Sequence, residues 1–500
     1  MKRDAIVALD LGTSSCRALV FAAGGQVLGR AQETYPLLQP HTGWAEQDPE
    51  ELVAAAGRVI RGAVAAAQLA SGDVAALSLG TYFHSLLALD ASGRCLSPVI
   101  TWADTRSTAE ADALRSAGLG LYPRTGCPPH PMYPLAKLLW LRGHQPDLWG
   151  STPRWGSVKD LLIERLTGVW AVDHSIASGS GIFRMERLDW DEDALALTGL
   201  ERRQLPQLLP TTQTLPLAHC GAGLTGLPAG LPVVLGAGDG ALSNLGAGAV
   251  GPGVMAAMVG TSGALRVTSP SPRVDPEGRS WCYNVTPDLW LLGGAISNGG
   301  VILKWLRDRW LQPGATYDDI TASAGRVPLG AGGLIFLPLL AGERSPFWNA
   351  RARGVLLGLG LEHGPDHMAR AALEGVAFRL NSVREALESL AGPAAEVRAT
   401  GGLSRSALWV QICADVFGRT VTVGGESEGS ATGAFLLARH ALGAEPDLAA
   451  AGRYSAREVT YTPDPQRHAL YERLYAIYLD AYWSLQRSFA SLAEFREAGS

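Results

Sequence analysis

Two stretches of this chain follow one pattern about half the chain apart: "ALDLGTSSCRALVF" at residues 8–21 and "AAMVGTSGALRVT" at 256–268. Each passes from an apolar segment into Gly-Thr-Ser, then through small residues and an Arg into a second apolar segment. Short apolar runs bounded by Gly and Ser read as buried strands, so each copy reads as strand–turn–strand. In the first half, "RALVFAAGGQVLGRAQETY" predicts a hairpin turning at Gly24-Gly25. Asp48, Pro49, Glu50 and Glu51 then supply the cap, first position and acidic first turn of a helix. "DVAALSLG" and "LLALDASGRCL" predict further strands. In the second half, "WLLGGAISNGGVILKWLRDRW" passes from strand through glycines to helix. Ala372, Val376, Leu380, Val383, Leu387 and Leu390 recur at helical spacing and predict a helix with one face on a core. "EVRATGGLSRSALWVQICADVFG" reads as strand, glycine turn, helix. The expectation is an α/β chain built on a duplicated fold.

At 500 residues the chain exceeds one ordinary core. The Gly/Pro-rich "LGAGAVGPG" at 245–253 and the restart of the pattern predict a division into domains 1–247 and 248–500. The Pro- and Trp-rich stretch 119–155 predicts a functional lid or insertion. A net charge of −5, with basic residues scattered as Arg, argues against nucleic acid or an anionic membrane as the main partner. Lys occurs only at positions 2, 137, 159 and 304, which suits sites that need a compact, flexible point charge. Six widely spaced Cys argue against a zinc site or a disulfide framework and suit a reducing cytosol. Only five apolar residues precede Asp10, too few for a signal-peptide core. The apolar run 230–260 is broken by Asp239, Asn244 and prolines, so it does not read as a membrane span. A cytoplasmic location is the expectation.

A Gly-Thr-Ser turn between strands gathers backbone N–H groups and hydroxyls into a concavity suited to phosphate oxygens. Asp10, just before the first turn, can reach a Mg²⁺ bound to those phosphates. A plain hairpin could use the same residues, but a second copy at Val259–Gly263 favours two nests clamping one polyphosphate. No Gly-Lys-Ser/Thr occurs, which excludes a P-loop. The first βα unit also lacks a dinucleotide fingerprint. In "VVLGAGDGALSNLG" an apolar strand delivers Asp239 to a glycine-flanked turn, where a carboxylate can accept a hydroxyl proton during phosphoryl transfer. A bare Gly-Asp-Gly turn is the structural alternative. "ATGGLSRS" at 399–406 suits either a nucleotide against backbone or a helix cap. His84, Trp102, Asp104, Arg106, His130 and Lys137 make a polar and aromatic set of the kind a polyol site uses. The Asp104/Arg106 pair suits a buried ion pair equally well.

Taken in order, D10-L-G-T-S-S-C-R17, W44-A-E-Q-D-P49, W102-A-D-T-R106, G236-A-G-D-G240, G260-T-S-G263, G342-E-R-S-P346 and T400-G-G-L-S404 resemble the landmarks of the FGGY carbohydrate kinases. The resemblance runs from about residue 5 to about residue 445. It implies two ribonuclease H-like domains of the actin/hexokinase type, with ATP and sugar in a cleft between them that closes on binding. Within the family, "ITWADTRS", "RTGCPPHPMYPLAKLLWLR", "DHSIASGSGIF" and "LAGERSPFWNARARG" are most similar to gluconokinases, implying Mg-ATP-dependent phosphorylation of D-gluconate to 6-phospho-D-gluconate. Carried over by position, Asp239 matches the catalytic base and Asp10 the Mg²⁺ residue. Gly12, Thr13 and Ser14 match the first phosphate turn, and Gly260 and Thr261 the second. Gly300, Lys304, Gly401, Gly402 and Ser406 match the nucleotide side, and His84 and Trp102 the substrate side. His84, His130, Lys137 and Arg344 are cationic candidates for a substrate carboxylate. One departure stands out: the chain reads Tyr82-Phe83-His84 where gluconokinases and xylulokinases tend to read Gln-Met-His. The alternatives are a xylulokinase or another pentulose or polyol kinase, and a catalytically silent sugar sensor. The sequence leaves the oligomeric state open, a homodimer included.

Overall fold

The structure, a computed structural model, describes residues 4–118, 120–310, 314–424, 429–449 and 458–498. The chain divides into two compact units. The described residues to Val250, with 269–291 and 429–449, form the first; 251–268, 292–424 and 458–498 form the second. The first crossing falls at Val250/Gly251, beside the expected division at 247/248, but two later segments return to the first unit rather than staying with the second.

The first unit is built on strands β1 (Ala5–Leu11), β2 (Ser15–Phe21), β3 (Val27–Thr34), β4 (Val74–Thr81), β5 (Thr214–Pro216) and β6 (Pro232–Gly238), in the order β5-β6-β4-β1-β2-β3. β1, β4 and β6 are parallel neighbours, and β1, β2 and β3 are antiparallel. All seven residues of β1 are buried, as an uninterrupted apolar strand covered on both faces should be. The β2–β3 hairpin turns where expected, with Gly25 at φ +86°, a conformation that glycine adopts without strain. The Pro49–Ala66 helix is capped by Asp48, whose carboxylate accepts from the N–H groups of Glu50 and Glu51. Its Leu52, Val59, Ile60 and Ala63 share one core with Val7, Leu9, Val20 and Leu77.

The Gly429–Ala441 helix rejoins this unit because its small residues let it approach closely. A Cβ at Gly433 would overlap the Leu242 carbonyl, Ser78 Oγ donates to Ala434 O at 2.8 Å, and Phe435 stacks on Phe21 at 4.7 Å. The 119–155 stretch differs from its expected lid or insertion. Its described residues form helices Tyr122–Thr125, Pro134–His144 and Pro146–Ser151, and bury Tyr122, Tyr133, Lys137 and Trp155. A proline stands in the first two positions of each helix, where its missing N–H costs nothing, so these prolines begin helices rather than prevent them. "LLALDASGRCL" keeps only Leu87–Leu89 as strand, because Asp90 folds the rest into a turn by accepting from Ser92 and Arg94.

The second unit repeats the organisation with β7 (Val254–Val259), β8 (Gly263–Ser269), β9 (Glu396–Gly401), β10 (Thr420–Val423) and β11 (Val459–Tyr461). β7 pairs antiparallel with β8 and parallel with β9, as β1 pairs with β2 and β4. The Pro365–Ala391 helix buries Ala372, Val376, Leu380, Val383 and Leu387, while Leu390 is half-buried near its end. The duplicated α/β organisation expected from the repeated strand–turn–strand is therefore present. No helix among the described residues is long and apolar enough to cross a membrane.

Candidate active site

In the first unit the turn at Gly12–Ser14 closes through Gly12 N–H donating to Ser15 O at 2.9 Å. Three side chains from other elements hold it. Tyr35 Oη donates to Gly12 O, Gln47 Nε2 to Thr13 O at 2.7 Å, and Trp102 Nε1 to Thr13 Oγ1 at 2.8 Å. Trp102, expected on the substrate side, thus has its N–H on the Gly12–Ser14 turn. Asp10 is the penultimate residue of β1, just before this turn, and is 6% exposed. Its Oδ2 accepts from Arg17 Nε at 2.8 Å and from Ser430 Oγ. A carboxylate held this way offers a hard oxygen of the type that would suit Mg²⁺. Among the described residues there is no group of three His, Cys, Asp or Glu that could hold a metal ion.

Asp239 follows β6 directly, as the first residue of the Asp239–Gly246 helix, and its Oδ1 accepts from Gly240 N–H at 2.7 Å. Within the sheet β4 lies between β1 and β6. Asp10 pairs with Gly80, and Thr81 pairs with Gly238. The two acids therefore sit at the same, C-terminal ends of parallel strands two positions apart, about 10 Å by ordinary strand spacing. Lys159, fully buried, ties these strand ends from below: its Nζ donates to Leu79 O at 3.1 Å and Ala237 O at 3.3 Å and pairs with Asp173 at 3.2 Å. Burial lowers its pKa, opposed by the charge of Asp173.

His84 lies just beyond β4 at φ +64°. Its Nδ1 meets Gly179 O at 2.6 Å, which fixes Nδ1 as the protonated nitrogen and turns Nε2 toward Tyr283 Oη at 3.4 Å. Phe83, Tyr133 and Tyr283 surround its ring. Lys137, a cationic candidate for a substrate carboxylate, is fully buried and donates to His84 O and Met132 O, each at 2.7 Å. Burial lowers its pKa to about 7. It braces the His84 backbone instead of presenting charge outward. His130 is half-buried and accepts from Met132 N–H at 3.2 Å, beside an apolar cavity of about 350 Å³ that also meets Tyr122 and Tyr133. Asp104 and Arg106 form a buried ion pair at 2.7 Å, with Arg106 stacked on Trp44 at 3.5 Å. The structural one of the two readings open for this pair is therefore the one realised.

The second unit carries its own cavity of about 530 Å³, and Gly260, Thr261, Gly300, Lys304, Gly402 and Ser406 all line it. The turn and helix lock through Gly300 N–H donating to Gly260 O at 2.7 Å and Val301 N–H to Thr261 O at 3.1 Å. Gly401 stands beside the cavity at φ +75°, with β7 so close that a Cβ would fall 2.7 Å from Val259 O. Ser406 caps the Ala407–Phe417 helix by accepting from Trp409 N–H, which is the helix-cap reading, and it also lines this cavity. Arg344 belongs to this unit, its Nη2 donating to Ile296 O at 3.0 Å. The described contacts thus gather the residues expected on the nucleotide side around this cavity, and separately Asp10, Asp239, His84 and Trp102 at one sheet end. Tyr317, Thr321 and Trp409 also line the cavity, Gln47 holds the first turn and Ser430 bonds Asp10, though sequence reasoning gave none of them a role. Gln47 could have been found from its place in W44-A-E-Q-D-P49; Ser430 could not, since only packing brings it to Asp10.

The N-terminal domain of the FGGY family of carbohydrate kinases matches residues 5–246, and the C-terminal domain matches residues 255–442. The gluconokinase of Bacillus subtilis (strain 168) is 35% identical over 506 residues, covering 98% of this chain and 98% of that relative. A solved gluconate kinase from Lactobacillus acidophilus superimposes with a TM-score of 0.94 at 32% identity, over 98% of this chain and 99% of that one. A ligand-bound xylulose kinase from the same organism does so with a TM-score of 0.94 at 32% identity, over 98% and 100%. With both domains matched and curated relatives aligned along nearly the whole length, this chain belongs to the FGGY family of carbohydrate kinases.

Proposed function

We propose that this carbohydrate kinase transfers the terminal phosphate of ATP to a sugar acid, converting D-gluconate to 6-phospho-D-gluconate. The observation that carries the phosphoryl-transfer chemistry is the placement of Asp10 and Asp239 at the same ends of β1 and β6, flanking the end of β4. Asp239 accepts the proton of the attacking hydroxyl, and His84 orients the sugar through hydrogen bonds. Gly12 N–H and Gly260 N–H close their own turns on Ser15 O and Ser262 O, so in each unit it is the following residues, Thr13 and Ser14 in the first and Thr261 in the second, that face phosphate oxygens. The cavity bounded by Gly300, Lys304, Gly402 and Ser406 takes the nucleotide. Asp10 would hold Mg²⁺, which when bound neutralises charge on the transferring phosphate. Support for gluconate comes from the 35% identity to a gluconokinase over 98% of both chains. His84 and His130 are the first-unit groups offered to its carboxylate, with Lys137 bracing the first of them.

The test is a panel of D-gluconate, D-xylulose, D-ribulose and glycerol in a coupled ADP-release assay. Gluconate should give the highest kcat/KM. A higher value for xylulose would move the assignment to the pentulose kinases, which the equal structural match to a xylulose kinase makes the natural competitor. Sugar binding without any sugar-stimulated ADP release would leave a sensor.

A further inference from the structure

We propose that Tyr82 and Phe83 are positioning residues that brace the two reacting ends of the site from a single strand terminus, Tyr82 through the phosphate turn and Phe83 through the backbone before Asp239. The proposal rests on the reading of Asp239 as the base. β4 runs parallel between β1 and β6, so the residues that leave its end emerge between Asp10 and Asp239. Tyr82 and Phe83 are those residues, and they turn to opposite sides.

Tyr82 faces the phosphate turn. Its N–H donates to Leu11 O at 3.0 Å, and its buried hydroxyl donates to Gln47 Oε1 at 2.6 Å. Gln47 Nε2 in turn donates to Thr13 O. Burial raises the phenol pKa, so the hydroxyl stays a donor across the working pH range. Phe83 faces β6. Its ring covers Gly238, where a Cβ would overlap it, and also meets Gly179, where a Cβ would fall 2.8 Å from Cδ1. Gly238 has φ −69° and ψ 149°, which any residue adopts, so contact with the ring and not backbone strain calls for glycine there. Gly238 is the cap residue of the helix that begins with Asp239, so a ring seated on it sets where that carboxylate starts. The next residue, His84, is held at φ +64° by Lys137 and Gly179, which prevents the pair from sliding along the strand axis.

Complementary substitution tests this directly. Phe83→Ala should lower kcat about tenfold or more while leaving KM for ATP within about twofold, because displacement of a reacting group by about 1 Å is costly to turnover. Gly238→Ala should also lose turnover. The double variant Phe83→Ala/Gly238→Ala should recover much of it, since the added methyl occupies the space the ring vacated. Phe83→Leu should lie between Phe83→Ala and the native enzyme, and carries the test if the alanine variant does not fold. Tyr82→Phe should raise KM for ATP, with kcat less affected. Circular dichroism and Tm on each variant separate misfolding from misplacement. Strictly additive losses in the double variant, or native kcat in well-folded Phe83→Ala, would overturn the proposal. The base reading fails separately, if Asp239→Asn retains turnover whatever the Phe83 series shows.

Discussion

Asp239 holds its place at the head of a helix through the Gly240 N–H, a contact an amide oxygen can keep. Asp239→Asn should therefore fold normally and still bind sugar, yet lose turnover by about 10²–10⁴-fold, the usual worth of a positioned base. Steady-state kinetics and circular dichroism check both halves; near-native activity would remove Asp239 from its role. The lysines show how far a single residue can be read in sequence. Their scarcity suits sites that need a compact charge and compositional drift equally, and the surroundings of Lys137 use it as a tie between two carbonyls. Lys159 went without a role, although it joins the ends of β4 and β6. Beside it, Asp160 is buried, and burial raises its pKa from 3.8 to about 7 against the bonds it accepts from Ser157. The native state thus holds this proton more tightly than the unfolded chain. Its contribution is fully present below about pH 4 and is lost as pH rises to about 7. Asp160→Asn should flatten that part of the profile, read as the difference in urea midpoint from the native protein at pH 5 and pH 8.

At the scale of elements, the parts that were legible are those whose determinants lie within a few residues. The hairpin at Gly24-Gly25, the Asp48 cap and the strand–turn–strand at 254–269 are local arrangements, and the structure forms each of them. The 119–155 stretch was harder because proline has opposite meanings inside a helix and at its start. The junction of the second turn with the Gly300–Arg309 helix is also tighter than its sequence reveals. A Cβ at Gly300 would fall 2.6 Å from Gly260 O, so Gly300→Ala must push the turn away from the helix. We expect KM for ATP to rise about tenfold, equivalent to ~1.4 kcal/mol, with the affinity for sugar unchanged by calorimetry. An unchanged KM for ATP would separate this turn from nucleotide binding.

Across the whole molecule, motifs remote in sequence become structural centres. Glu343, in the middle of G342-E-R-S-P346, is fully buried against Arg379 at 2.9 Å and also accepts from the N–H groups of Ser297 and Arg344. Arg379→Met leaves a buried carboxylate uncompensated and should cost about 3–5 kcal/mol in urea denaturation, while Glu343→Gln/Arg379→Met should cost less than the two single losses together. Sequence alone determined that the chain is a duplicated α/β protein with a Gly-Thr-Ser turn in each half, and which family its ordered landmarks resemble. Those properties reside in hydrophobic period, turn chemistry and spacing, all of which act between near neighbours. Tertiary structure decided what no spacing encodes: that Ser430 bonds Asp10 across 420 positions, that the Gly429–Ala441 helix packs with the first unit, that Lys137 is buried, and that Tyr82 and Phe83 emerge between two acids. These follow from which surfaces exclude water together, and that is settled only when distant segments pack.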